Sequence, residues 1–451
     1  MYKRDIINFL FIISFPVYGI GTYISAISSP SVGYFISISP HILIILFYSI
    51  DLLYKGEFEI RLNKYYFFML LFILSATTSL FIALRNGLPE AKLTLTITKS
   101  FLLIIPFHSF LLVTLYNYKR VSMLKLTLLS LSLLLAINLA GYFGGGLSNG
   151  THSLEGRLNF PFLEGIYSGA CLLAIINLLL LYYLKRHWAD PIRFVSFGAY
   201  FLFNLILFFL INSRLTILIF VLVVALCLIG MIRMRGIYVL SMFTIPILLG
   251  SGLLIYEVLQ LPGFSSMMQR VDIEDVTTFN GRAFLWQDAM DWLLKDGEGL
   301  LLGNGYKGHY FLGLIDDVAR LWNEEDIHHM HLHSTSMEIL VCQGVIFFII
   351  FAALFYMAHD YYRTKHIKGK EEGAFLPVIV FLLFIMQVDN FVYLDGLGFV
   401  IFSLLVSPMA IKQDVKVWKG ARRGKQKEMV DQILLPYGLS RTPNMTESPS
   451  T

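Results

Sequence analysis

The sequence predicts an all-α polytopic membrane protein of about twelve transmembrane helices, with one large loop on the outer side that contains short helices. Three observations predict it. Hydrophobic residues make up 56% of the 451 and charged residues only 15%, whereas soluble domains carry about 25% charged residues. Apolar runs of about 20 residues, the length that spans a bilayer, recur along the chain. Lysine and arginine collect on alternate loops. Together these exclude an ordinary cytosolic or secreted globule, a disordered chain and a nucleic-acid-binding domain.

The apolar runs lie near residues 6–28, 33–53, 65–84, 98–117, 122–142, 164–184, 193–211, 215–232, 237–257, 336–358, 374–391 and 396–411. The first follows Lys3 and Arg4 and is long for a cleaved signal peptide, so it reads as a retained anchor. The eighth, RLTILIFVLVVALCLIGMI, is the least ambiguous. The eleventh is interrupted by Gln387, Asp389 and Asn390. With the N-terminus inside, every inside loop carries basic residues. The 35 lysines and arginines then all fall inside except Arg85, Lys92, Lys99, Arg157, Arg214, Arg270, Arg282, Lys295, Lys307 and Arg320. An even number of spans with both termini cytoplasmic follows. Cys171, Cys227 and Cys342 sit in apolar runs and read as small core residues rather than a disulfide or metal framework.

The chain divides into helices 1–9 over residues 1–257, the outer loop over 258–335, helices 10–12 over 336–411, and a tail over 412–451. The tail is basic, then rich in Ser, Thr and Pro. It reads as a disordered cytoplasmic segment near anionic lipid, or as a charge excess that only fixes topology. The 78-residue loop holds twelve acidic and five basic residues, and five of the eleven histidines. Chemistry is therefore expected at the outer membrane–water interface, rather than at the midplane where transporters keep their sites.

Three pieces of this surface carry candidate functional residues. In NGRAFLWQDAMDWLL (residues 280–294), Leu285, Trp286, Ala289, Trp292 and Leu293 share one helical stripe, and Arg282 stands at its start. This helix either lies on the membrane surface or covers the protein. In HHMHLHSTSMEILVCQGVIFF (residues 328–348), Thr335 and Glu338 have capping-box spacing, which starts a helix at Ser336. His333 then stands before a helix N-terminus, where free N–H groups favour an anion. A neutral imidazole there can take a proton from a hydroxyl. His328, His329 and His331 read as solvated loop residues. A zinc site from His331 and His333 with Glu324 or Asp326 is a competing reading, and the expectation is that no metal takes part. Finally, Arg214 in INSRLTILIF and Arg157 in EGRLNFPFLEGIYSG lie on the outside against the charge bias. Either snorkels to the headgroups or binds phosphate; with Arg282, the three point to an anionic lipid phosphate.

At these residues the chain resembles the O-antigen ligase and polymerase superfamily, the integral-membrane glycosyltransferases of bacterial surface polysaccharide. GRLNFPFLEGIYSG, NSRLTILIF, NGRAFLWQDAM with LLGNGYKG, and HLHSTSMEILVCQGVIFF occur in the family's order over roughly residues 150–360, with His333 and Gly344 at the family's eleven-residue spacing. The Asn that commonly follows the His is Ser334 here.

The resemblance implies an inner-membrane enzyme whose active face is periplasmic and whose donor is an undecaprenyl-pyrophosphate-linked oligosaccharide. It implies neither cofactor nor metal nor nucleic acid. The acceptor is another lipid-linked glycan in a polymerase, or the lipid A core in a ligase; a chain-length regulator is a further partner. By similarity Arg214 and Arg282 would hold the pyrophosphate, Arg157 would assist, and His333 would be the base or a close contact of the reacting centre. Because Ser334 replaces the Asn usual in enteric-type ligases, the reading leans to a polymerase. A flippase would place charges at mid-membrane and show two related halves; neither is visible in the sequence.

Overall fold

The computed structural model describes residues 3–55, 62–88, 92–117, 120–145, 157–163, 165–246, 282–295, 299–321, 327, 330–394 and 396–411. They belong to one compact unit, Met1–Ile411. Their architecture is all-α: among the described residues no strand occurs, and a single isolated bridge pairs Leu62 with Ile411. Helices dominate because a chain this apolar can satisfy its backbone inside a bilayer only within each segment. The tail from residue 412 and the outer-loop stretch 258–281 lie outside the described residues.

Seven long helices come first: α1 (Lys3–Ile27), α2 (Pro30–Lys55), α3 (Lys64–Arg85), α4 (Leu93–Asn117), α5 (Met123–Gly145), α6 (Gly165–Arg186) and α7 (Pro191–Ile211). Local signals set their starts. The Asn63 side chain accepts from Tyr65 N at 2.9 Å at the head of α3. Asp190 caps α7 through Arg193 N, with Pro191 in the first turn, where its missing N–H costs nothing. Then come α8 (Arg214–Leu228) and α9 (Gly236–Val239), which continues as a π-turn over Leu240–Thr244.

The outer loop contributes α10 (Arg282–Lys295), α11 (Gly308–Phe311) and α12 (Asp316–Leu321). The chain then forms α13 (Thr335–Ile367), α14 (Leu376–Val388) and α15 (Leu397–Val406). Among the described residues nine helices are long and apolar enough to cross a membrane, and α8 and α15 are shorter apolar helices.

Eleven of the twelve apolar runs thus have a helix, with one instructive difference. The eighth run is apolar to about residue 232, yet α8 stops at Leu228. Gly230 takes the left-handed conformation (φ 75°) and a short 3-10 turn follows, which ends the helix where hydropathy does not. The ninth run begins as helix at Gly236, and its remainder from residue 247 lies outside the described residues.

α14 is the centre. All thirteen of its residues are buried, as expected of a helix apolar on every face. It packs against α13, α6 and α8, while α13 packs against α3 and α15 against α4. α7 leaves most of its surface outward, with Leu202, Ile206 and Phe209 exposed, the pattern of a helix facing lipid.

The tenth run is not one straight helix. α13 breaks at Gly344 (φ 83°, ψ 173°), a conformation open essentially to glycine alone. The outer loop repairs the break. Asn304 N and Gly305 N donate to the carbonyls of Val341 and Cys342, both at 3.0 Å. Val345 N donates to Leu300 O at 2.8 Å. Backbone meets backbone here, so a Cβ on Gly344 would lie 2.5 Å from Leu301 O, and one on Gly303 would collide with the Cys342 carbonyl. Irregular backbone in an apolar span is tolerated where it is buried in protein and its freed groups find partners, as the carbonyls of Val341 and Cys342 do here.

Candidate functional site

The break isolates a short helical piece, residues 335–343, whose N-terminus faces the outer loop. Ser334 is its N-cap, and its hydroxyl accepts from Met337 N at 3.4 Å. The helix therefore begins at Thr335, one residue before the expected start, and Glu338 does not close a capping box. Its carboxylate reaches further back, to Leu332 N at 2.7 Å. Serine and asparagine are both good N-caps, so Ser334 keeps the local role that an Asn would have.

Residues 330–333 form a strap across this helix end. Met330 and Leu332 are buried, whereas His331 and His333 are half-buried, so alternate residues face opposite sides. The strap is held along its length. Trp286 Nε1 donates to Leu332 O at 2.9 Å, and His309 Nε2 lies 3.2 Å from Met330 O. Thr335 N and Oγ1 both donate to Asp389 O, at 3.2 and 3.1 Å. On the outward side the rings of His331 and His333 meet edge to face at 4.1 Å. His333 is left-handed (φ 48°), uncommon for a bulky residue and of the order of 1–3 kcal/mol in strain when the surroundings impose it.

Arg282 completes the cluster. It is buried, and its two terminal nitrogens donate to Val388 O at 3.0 Å and Tyr167 OH at 2.8 Å. The guanidinium also lies over the Tyr167 ring, 5.1 Å from its centroid. It bridges the start of α6 and the end of α14, and among the described residues no carboxylate forms an ion pair with it. Burial, with His331 and Arg282 alongside, holds the His333 imidazole well below its usual range, so it is neutral at physiological pH. Burial raises the Asp389 carboxyl, although Arg282 and His331 pull the other way. Asp389 Oδ2, His331 Nδ1 and Ser336 Oγ have no hydrogen-bond partner among the described residues. Buried polar atoms seldom go unpaired, so a polar ligand entering here would find partners.

The structure brings Arg282 and His333 together. Arg214 is the first residue of α8 and is exposed. Arg157 is half-buried beside it in the chain path, since Leu158 N donates to Leu210 O at 3.1 Å near the α7–α8 corner. His328 and His329, and the proposed zinc partners Glu324 and Asp326, lie outside the described residues. The helix that began at Arg282 covers the protein rather than lying free on a membrane: Leu285, Trp286, Ala289 and Trp292 are all buried. The three cysteines are free and make no disulfide.

Among the described residues two sets of side chains bring metal-ligating atoms within 4.8 Å of one another: His309, Glu338 and Cys342, and His331, His333 and Asp389. In the first, contacts within the protein already engage His309 and both Glu338 oxygens. The second opens on the site, with Asp389 where Glu324 or Asp326 was expected. Tyr167, Asp389, His309 and Glu338 were not singled out as functional in the sequence. Asp389 carried a signal, an acid closing an apolar run; the His309–Glu338 contact carried none, because 28 intervening residues separate its partners.

The site therefore sets a cation, a neutral imidazole and a carboxyl together at the end of a broken helix. Residues 199–352 match the family model described as O-Antigen ligase. Over that stretch, about a third of the chain, the sequence is similar to this family. The match spans Arg214, Arg282, His333 and Gly344 and stops short of Arg157. No curated protein and no solved structure matches the chain.

Proposed function

We propose that the chain is an O-antigen polymerase-like glycosyltransferase, which moves a glycan from undecaprenyl pyrophosphate to a sugar hydroxyl at the periplasmic face of the inner membrane. The observation that supports it most is the buried Arg282 beside the neutral His333, at a helix end lined by unpaired polar atoms. The acceptor hydroxyl attacks the anomeric carbon as the bond from that carbon to the phosphate oxygen breaks. His333 takes the hydroxyl proton. The electron pair leaves with undecaprenyl pyrophosphate, whose charge Arg282 stabilises, with Arg214 and Arg157 drawn in by the bound donor. Attack opposite the leaving group inverts the anomeric centre. Pyrophosphate is already a good leaving group, so no metal is required in this scheme.

The family description favours a second reading, a ligase that passes the same glycan to the lipid A core. Ser334 in place of the Asn usual in enteric-type ligases favours the polymerase. Deleting the gene in its host and resolving the lipopolysaccharide on a gel separates the two. A polymerase leaves core plus one repeat unit. A ligase leaves bare core, with polymer accumulating on the lipid carrier. A normal ladder would remove both assignments.

A further inference from the structure

We propose that His309 and Glu338 are positioning residues: a buried pair, outside the reacting groups, that holds the strap carrying His331 and His333 in its working shape. The inference rests on the reading of His333 given above. Both side chains are almost fully buried, at 1% and 2% exposure, with Nδ1 of His309 3.1 Å from Oε2 of Glu338.

The pair grips the strap at two points. Glu338 Oε1 accepts from Leu332 N at 2.7 Å, and His309 Nε2 lies 3.2 Å from Met330 O. The Cys342 thiol donates to Glu338 Oε2 at 3.4 Å, which ties the pair to the helical turn just before the break. The two nitrogens of His309 thus lie near Glu338 on one side and the strap on the other.

Geometry links the pair to His333. Met330 and Leu332, the residues gripped, alternate with the two histidines that face the site. His333 keeps a left-handed backbone, which persists only where surrounding contacts impose it. Those contacts include the pair on one side of the strap, Trp286 on the Leu332 carbonyl, and Ser334 and Thr335 at the helix end. Releasing the pair lets residues 330–333 relax toward ordinary backbone, and the imidazole moves off its line to the acceptor. Misplacement on the scale of 1 Å costs up to about 10²-fold in rate.

Glu338→Gln and His309→Gln nearly keep the volume and change the contact between the two side chains. Two measurements on the full-length protein in detergent test the proposal. The first is hydrogen exchange over residues 330–334. Both variants are expected to exchange at least about tenfold faster there, while peptides in α1 and α14 keep wild-type protection. Unchanged exchange at 330–334 overturns the proposal, whatever activity does. So does faster exchange throughout the chain, which would make the pair a general stabiliser.

The second measurement is transfer kinetics, using lipid-linked glycan extracted from a deletion strain. The expected result is a kcat about 10- to 10²-fold lower, with the donor KM within about twofold, because Arg282 still holds the pyrophosphate. A kcat within about twofold of wild type also overturns it. Should Arg282→Ala and His333→Ala keep full activity, the functional reading falls, and the exchange result still decides the role of the pair.

Discussion

His333 combines two properties that rarely meet in one residue, a left-handed backbone and an imidazole that stays neutral. Its folded pKa lies below the usual 6.5 because burial and the Arg282 and His331 charges disfavour the protonated ring. The neutral form therefore persists as pH falls through 6.5, and the transfer rate should hold flat from about pH 8 to below pH 6 before declining. A rate that halves near pH 6.5 would mean that the base is a solvated histidine elsewhere. His333→Ala should abolish transfer at normal protein levels, and His329→Ala should leave it near wild type; if both lose activity and a chelator does the same, a metal site is at work. Ser334 makes a separate prediction. Ser334→Ala removes the N-cap and should cost about 1 kcal/mol, read as a lower melting temperature in detergent, while Ser334→Asn should change it by only a few tenths. At this scale the sequence was most legible where chemistry is unusual for its place: Arg282 and His333 stood out on the outer surface. Tyr167 did not, because a tyrosine at the start of an apolar helix is ordinary until a guanidinium is seen lying across it.

Elements were legible to the extent that hydropathy controls them. Apolar runs located eleven helices, because burial in lipid and burial in protein demand the same residues. The break in α13 was invisible to that signal, since VCQGVIFF reads as continuous membrane helix. What interrupts it is the backbone of residues 300–305, brought over by the fold, and only the Gly344 spacing from His333 hinted at it. The interlocking of Gly303 with Gly344 makes this joint sensitive to single atoms. Gly344→Ala forces a Cβ into the Leu301 carbonyl and an L-residue into a glycine-only conformation, which should cost several kcal/mol. Thermal unfolding in detergent would read this as a large drop in melting temperature with loss of transfer. Gly144→Ala, at a position with open space around it, should melt like wild type. Equal melting of the two variants would show that the joint tolerates a straight helix. The covering role of α10 was one of two readings of its Trp-bearing stripe. The stripe itself could not decide between lipid and protein as the partner, because both are apolar.

Across the whole molecule, the alternation of basic residues predicts on which side of the membrane the site lies. Basic residues on alternate loops predict that a reporter fused after residue 300 is periplasmic and one fused after residue 415 is cytoplasmic. A cytoplasmic signal at residue 300 would put Arg282 and His333 on the wrong leaflet for a periplasmic glycan donor. The central claim is that these two residues move a glycan from a lipid pyrophosphate without a metal. Its most direct test is transfer by the purified protein, with lipid-linked glycan extracted from a deletion strain as both donor and acceptor, in the presence of a chelator. Wild type should extend the glycan. Arg282→Ala should fall by about 10²–10³-fold, Arg282→Lys should recover little because the two-pronged guanidinium contact is lost, and His333→Ala should give no product. Undiminished product from Arg282→Ala or His333→Ala, or loss of wild-type activity with the chelator, would contradict it.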